Sequence, residues 1–171
     1  MTVHHSGQGP HFYQAVWANI LDIPETSIRV ISPDVGGSFG IKIHNYGDEV
    51  ATLMLSKILG RPVKFIADRL ESFSSDIHAR DHRVKAKMGL DADGRIVAFE
   101  IDDLTGIGPY SMYPRSSAIE LNQVLNLTGG QYLIPNYKAV GDVVFQNKDM
   151  MCQYRAVGHP IATAVGEAMA D

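Results

Sequence analysis

The sequence predicts an α+β fold: a mixed sheet with a βαβ crossover, a long antiparallel hairpin and packed helices. Three observations predict it. A short β-branched run at residues 28–32 flows into a glycine loop, a helical pattern and a further apolar run, "PVKFIA", which is the order of a crossover unit. Residues 82–104, "HRVKAKMGLDADGRIVAFEIDDL", alternate on both sides of "DADG", a hairpin turn signal. Helical spacing follows Pro10, where a missing N–H costs a helix nothing, and the chain closes on a helical pattern, "PIATAVGEAMAD".

Taken in order, Thr2 to Ser6 predicts a strand and "GQGP" a break. The helix that follows carries Phe12, Val16, Asn19 and Ile20 at helical spacing, widened by Trp17 and Leu21, and "DIPETS" ends it. After the strand at 28–32 comes "DVGGSFGIK". A second helix is expected from an Asn45 N-cap to Gly60, with Val50, Leu53, Met54 and Ile58 on its inner face. The hairpin follows. "YLIPNYKAVGDVVFQ" supplies one or two more strands, and a loop containing Arg155, Gly158 and Pro160 leads into the terminal helix.

Composition narrows the function classes. The 171 residues suffice for one domain with a sizeable core. A net charge of -4 provides no nucleic-acid footprint. Apolar runs such as "ATLML" are too short to cross a bilayer, and "MTVHHSGQGPHF" lacks a secretory pattern. The single cysteine, Cys152, excludes an internal disulfide and fits a reducing, cytoplasmic setting. Both ends look cut, because a strand begins almost at once and "PIATAVGEAMAD" has no stop signal. The expectation is one partial domain over 1–171, truncated at the C-terminus and at the N-terminus.

The glycine loop matches no phosphate motif. Its glycines fall at 36, 37 and 40, which breaks the dinucleotide fingerprint, and no Gly-Lys-Ser/Thr follows for a P-loop. What remains is flexible backbone ahead of a helix, compatible with an anion or with a plain turn. Phe39 weighs toward a ligand, since a large ring in such a loop can wall off a planar group. Lys42 suits a phosphate or solvent equally. His4 and His5 point to opposite faces of a strand and cannot share one metal ion. His78, Arg80, His82 and Arg83 form a basic cluster at a strand start, read as a solvated edge. Glu49, Glu100 and Glu120 are undistinguished candidates for a general base, and Arg155 suits either a functional loop or an ion pair.

Taken together, the segments are more specific than any one of them. "SGQGPH", "IRVISPDVGGSFGIK", "RPVKFIADRLESF", "HARDHRVKAKMGLDADGRIVAFE", "IPNY" and "QYRAVGHP", in this order from residue 6 to residue 160, resemble the molybdopterin-binding region of the large subunit of the xanthine dehydrogenase, aldehyde oxidase and carbon monoxide dehydrogenase family. The resemblance implies that Gln8, Gly37, Ser38, Phe39, Gly40, Arg155 and Ala156 contact a molybdenum–molybdopterin cofactor, with Phe39 beside the metal centre. It implies no protein ligand to the metal, which the pterin dithiolene holds. Ile43, Gln123 and Val157 fall at substrate-pocket positions. There purine enzymes carry a glutamate, an arginine and an aromatic residue, so the resemblance implies an aldehyde or a non-xanthine N-heterocycle, with water as oxygen source. Ala156 replaces the copper-binding cysteine of carbon monoxide dehydrogenases, and Cys152 is displaced from that position.

The family's catalytic glutamate lies beyond Asp171, and Glu167 is not its equivalent, so no catalytic residue is expected within this chain. The implied partners are a small-molecule substrate, the remaining half of the large subunit, and domains or subunits carrying 2Fe-2S clusters and FAD. No nucleic acid or membrane is implied. The competing readings are a stand-alone phosphate- or nucleotide-binding module and one subunit of a split enzyme.

Overall fold

The computed structural model describes residues 1–171, and the chain divides into two compact units. The first comprises Met1–Asp76 with Met112–Arg115; the second comprises Ile77–Ser111 with Ser116–Asp171.

In the first unit, β1 (Thr2–His4) pairs in parallel with β2 (Arg29–Ile31), and α1 (Pro10–Leu21) connects them. The crossover therefore lies one step earlier than expected, and the glycine loop follows it rather than sitting inside it. "PVKFIA" is not a strand: the sheet contains β1 and β2 alone, and Phe65 and Ile66 are exposed. Apolar composition suggested a strand there, but a strand needs a hydrogen-bonding neighbour and this segment has none. Two helices complete the unit, α2 (Gly47–Leu59) and α3 (Arg69–Ser75); the latter is opened by an Asp68 cap that accepts from Glu71 N–H. Gly60 closes α2 in left-handed conformation, as expected. Asn45 does not cap α2, because its Oδ1 accepts from Trp17 Nε1 at 2.8 Å. The core is Tyr13, Val16, Trp17, Ala18, Leu21, Ile28 and Leu53. The buried face of α1 is thus rotated toward Tyr13 and away from the exposed Ile20.

In the second unit, β3 (His82–Leu90) and β4 (Ile96–Gly106) form the predicted hairpin around an Asp91–Gly94 turn. β5 (Tyr137–Val144) adds to β4 in parallel, giving the order β3-β4-β5. A helix absent from the sequence reading, α4 (Ile119–Leu127), and the expected terminal helix, α5 (His159–Ala170), complete the unit. Phe99, Ile101 and Val124 form the core, with Val84, Ala86, Met88, Ile161 and Val165 packed around them. The pairing places Met88 opposite Phe99, Ala86 opposite Ile101, Val84 opposite Asp103 and His82 opposite Thr105. Period-two geometry therefore carries one inward face from apolar residues at one end to polar residues at the other.

Ile101 is fully buried. Ile101→Ala is expected to destabilise the second unit by about 2–5 kcal/mol, because partial collapse leaves a cavity. Urea denaturation followed by circular dichroism checks this; a loss below about 0.5 kcal/mol contradicts the assigned core.

Candidate functional site

The sequence-selected residues are divided between the two units. Gln8, Gly37, Ser38, Phe39, Gly40 and Ile43 belong to the first unit; Gln123, Arg155, Ala156 and Val157 belong to the second.

In the first unit, the segment after β1 is tied to the glycine loop by one backbone carbonyl. Lys42 O accepts from Gln8 N–H at 2.9 Å and from the Tyr13 hydroxyl at 2.6 Å. The tie is close: a Cβ on Gly9 would lie 2.7 Å from Ile43 Cδ1. His5 stiffens the same segment. Its Nδ1 accepts from Gly7 N–H at 3.0 Å, so the Nε2–H donates to Glu49, 2.6 Å away. Glu49, undistinguished in the sequence, thereby joins the first strand to the start of α2, where its other oxygen accepts from Tyr46 N–H at 3.1 Å. With both His5 ring nitrogens engaged, a metal is not needed to explain this residue.

The loop itself is unusual. Gly37 lies at φ 133°, Phe39 at 51° and Gly40 at 88°. The Phe39 ring folds back over Gly37, where a Cβ would come within 2.5 Å of it, and the ring is half exposed. Gly36 faces open space. A phosphate-loop geometry is not formed. The loop passes into a 3₁₀ turn at Ile41–Ile43, and α2 begins only at Gly47 with Asp48 and Glu49 in its first turn. Two carboxylates there oppose an anion at that helix end.

In the second unit, the loop before α5 packs on α4. A Cβ on Gly158 would lie 2.5 Å from the Gln123 backbone carbon, so Gly158, at φ 75°, admits no side chain. Ala156 is also left-handed, at φ 65°. His159 N–H closes the turn onto Ala156 O at 3.0 Å. Cys152 is buried, and its Sγ–H donates to Gln153 at 2.8 Å. Glu167 accepts from the Tyr132 hydroxyl at 3.1 Å, and that bond is the main reason the tyrosine is held above its ordinary pKa.

The basic cluster around Arg80 is not a solvated edge. His82 and Asp103 are fully buried, 2.8 Å apart between Nδ1 and Oδ2, with the Thr105 hydroxyl also bonding Asp103. Arg80 Nε donates to the buried Glu120 at 2.8 Å. Only His78 and Arg83 of that cluster keep substantial exposure. A signal was present in the sequence: extending the hairpin register puts Asp103 and Thr105 on the same face as Ile101, which predicts a partner opposite them.

Comparison with known proteins accords with these motifs. The molybdopterin cofactor-binding domain family matches residues 1–171. The large subunit of nicotine 6-hydroxylase from Paenarthrobacter nicotinovorans is 34% identical over 97% of the chain and 20% of that protein. The large chain of carbon monoxide dehydrogenase from Afipia carboxidovorans is 33% identical over 82% of the chain and 17% of that protein. The crystal structure of quinoline 2-oxidoreductase from Pseudomonas putida 86 superposes with a TM-score of 0.86 at 36% identity, over 92% of this chain and 20% of that one. The chain spans about a fifth of the length of these relatives.

Burial, reinforced by the Glu49 charge, pushes the Tyr13 phenol well above its ordinary value of 10.0. A raised folded pKa means that its contribution to stability is intact below pH ~10 and declines as pH rises further, when only the unfolded chain ionises readily. Tyr13→Phe is expected to cost roughly 0.5–1.5 kcal/mol at neutral pH, and to lose less stability than the wild type between pH ~9 and ~11. Urea midpoints across that range decide it; parallel losses in the two proteins contradict the assignment.

Proposed function

The chain belongs to the molybdopterin cofactor-binding domain family, and from that premise we propose that it supplies part of the cofactor and substrate pocket of a molybdenum-dependent oxidoreductase acting on an N-heterocycle. One observation carries the reading most. Apart from Asp22, which caps a helix, the non-glycine residues with positive φ are Phe39 and Ala156. Both are positions that the motif resemblance assigns to cofactor contact. Left-handed backbone costs an L-residue roughly 1–2 kcal/mol and persists where surrounding contacts over-determine it, a pattern concentrated at ligand sites.

The residues fit such a group. Gly36 leaves the loop bare of a side chain, Gly37 lets the Phe39 ring fold over the backbone, and that half-exposed ring offers a flat apolar wall. When bound, a molybdenum–pterin group supplies the two-electron chemistry that transfers oxygen from water to a substrate carbon. The chain's own residues would then bind and orient. Gln8, held through its backbone on Lys42, presents an amide that donates and accepts. Gly37, Ser38 and Gly40 let backbone approach the pterin, Phe39 excludes water beside it, and Arg155 with Ala156 contributes a second contact.

Ile43, Gln123 and Val157 would line the substrate side. None carries a charge, which favours a neutral ring over a purine held by ionic contacts. The relatives named for nicotine and quinoline point the same way, so the proposal prefers the heterocycle to an aldehyde. The base that activates water, the rest of the cofactor pocket, and iron–sulfur and flavin groups would come from outside these 171 residues. A cytoplasmic setting accords with the lone buried thiol. No helix is long and apolar enough to cross a membrane.

Metal analysis of protein purified from molybdate-supplied cells tests the proposal, together with oxidation assays on quinoline, nicotine and benzaldehyde. The expected result is sub-stoichiometric molybdenum and no turnover for the chain alone, and stoichiometric molybdenum with heterocycle oxidation when the remainder of the enzyme is co-produced. A melting temperature raised by nucleotides, with molybdenum absent from both preparations, contradicts it.

A further inference from the structure

The inward face of β4 changes character along its length. Phe99 and Ile101 belong to the apolar core, while Asp103 and Thr105, two and four residues on, are equally buried and polar. What faces them is a charge cluster spread over several elements. His82 of β3 bonds Asp103; Arg80, just before β3, bonds Glu120 in the first turn of α4; and His82 Nε2 lies 4.0 Å from Glu120 Oε1. The adjoining cavity is about 10 Å³, room for at most one water, so the cluster is not a ligand site.

The cluster's outward reach is toward one loop. The Arg80 guanidinium, besides holding Glu120, donates to Tyr154 O at 2.6 Å and to Arg155 O. The same Glu120 oxygen that accepts from Arg80 also accepts from Gly158 N–H at 3.2 Å. One ion pair therefore grips both ends of residues 154–158, the stretch that contains left-handed Ala156. A buried ion pair adds little stability over an apolar replacement; its best-attested use is to select one geometry. A planar fork suits this task because its donors are fixed relative to one another, whereas an ammonium is a single point charge.

We infer that Arg80 and Glu120 are positioning residues that clamp the Tyr154–Gly158 loop in the conformation required for its ligand contact. The inference rests on the proposed cofactor-binding reading for the identity of that ligand, but the clamp is measurable without it. Arg80→Lys preserves a cation for Glu120 and removes the fork. Hydrogen–deuterium exchange on the cofactor-free protein is expected to show amides 155–159 exchanging roughly tenfold faster in Arg80→Lys, with β4 amides and the melting temperature unchanged. Glu120→Gln is expected to act in the same direction; should it fail to fold, Arg80→Lys decides alone. In the assembled enzyme, Arg80→Lys is expected to lose molybdenum severalfold faster on dialysis than the wild type. Loop exchange at the wild-type rate overturns the inference, and so does acceleration shared equally by β4, which marks a merely structural pair. A wild-type enzyme without molybdenum instead contradicts the proposed function, and the exchange result still judges the clamp.

Discussion

Two short loops that hold non-glycine residues in left-handed conformation set the terms for the rest of this chain. Phe39 and Ala156 occupy backbone geometry that local sequence disfavours, so neighbouring groups must hold it. In the first unit that support converges on the Lys42 carbonyl, which accepts a backbone N–H from one segment and a buried phenol from another. In the second unit it comes from an arginine fork and a carboxylate on opposite ends of the loop. The devices differ, but each fixes a loop by hydrogen bonds to its backbone.

This arrangement suits a cofactor whose metal needs no protein ligand. A site that depended on histidine or cysteine ligation would place those side chains toward a common point. Here two of the seven histidines serve the scaffold: His5 bridges Gly7 and Glu49, and His82 is buried against Asp103. Chemistry of this kind asks the protein for shape, a low dielectric and a few directed donors. On the proposed reading, glycines that admit close approach, one flat ring and an amide side chain would meet that demand. The reading also explains why a phosphate loop was only superficially suggested, since the acidic first turn of α2 makes that helix end unattractive to an anion.

Much of the architecture was legible in the sequence because period-two alternation survives burial. Val84, Ala86 and Met88 point inward and Lys85 and Lys87 outward, as the hairpin pattern requires. Pro10 marks the start of α1, and the glycine positions mark the loop that turns left-handed; Pro160, read as loop, lies in the first turn of α5. The failures have physical causes. Residues 62–67 look like a strand by composition, but strand formation depends on a neighbour that local sequence cannot reveal. Helical spacing selects Phe12 and omits Tyr13, whose hydroxyl is taken inside by long-range bonds to the Lys42 and His44 carbonyls. Arg80 and His82 read as a solvated edge and Glu120 as an undistinguished base candidate because each is a surface residue by habit; the packing of α4 beside β3 and β4 puts them in one interior. The roles proposed for Gln8, Phe39 and Arg155 rest on the motif resemblance, not on patterning.

The central claim is that the Phe39 loop borders a molybdenum centre. An anomalous difference map at the molybdenum absorption edge, from crystals of the assembled enzyme containing this chain, tests it most directly. The account predicts a single strong peak beside the Phe39 ring, on the side left open by Gly36. A peak remote from that loop, in crystals with full molybdenum content, would contradict it.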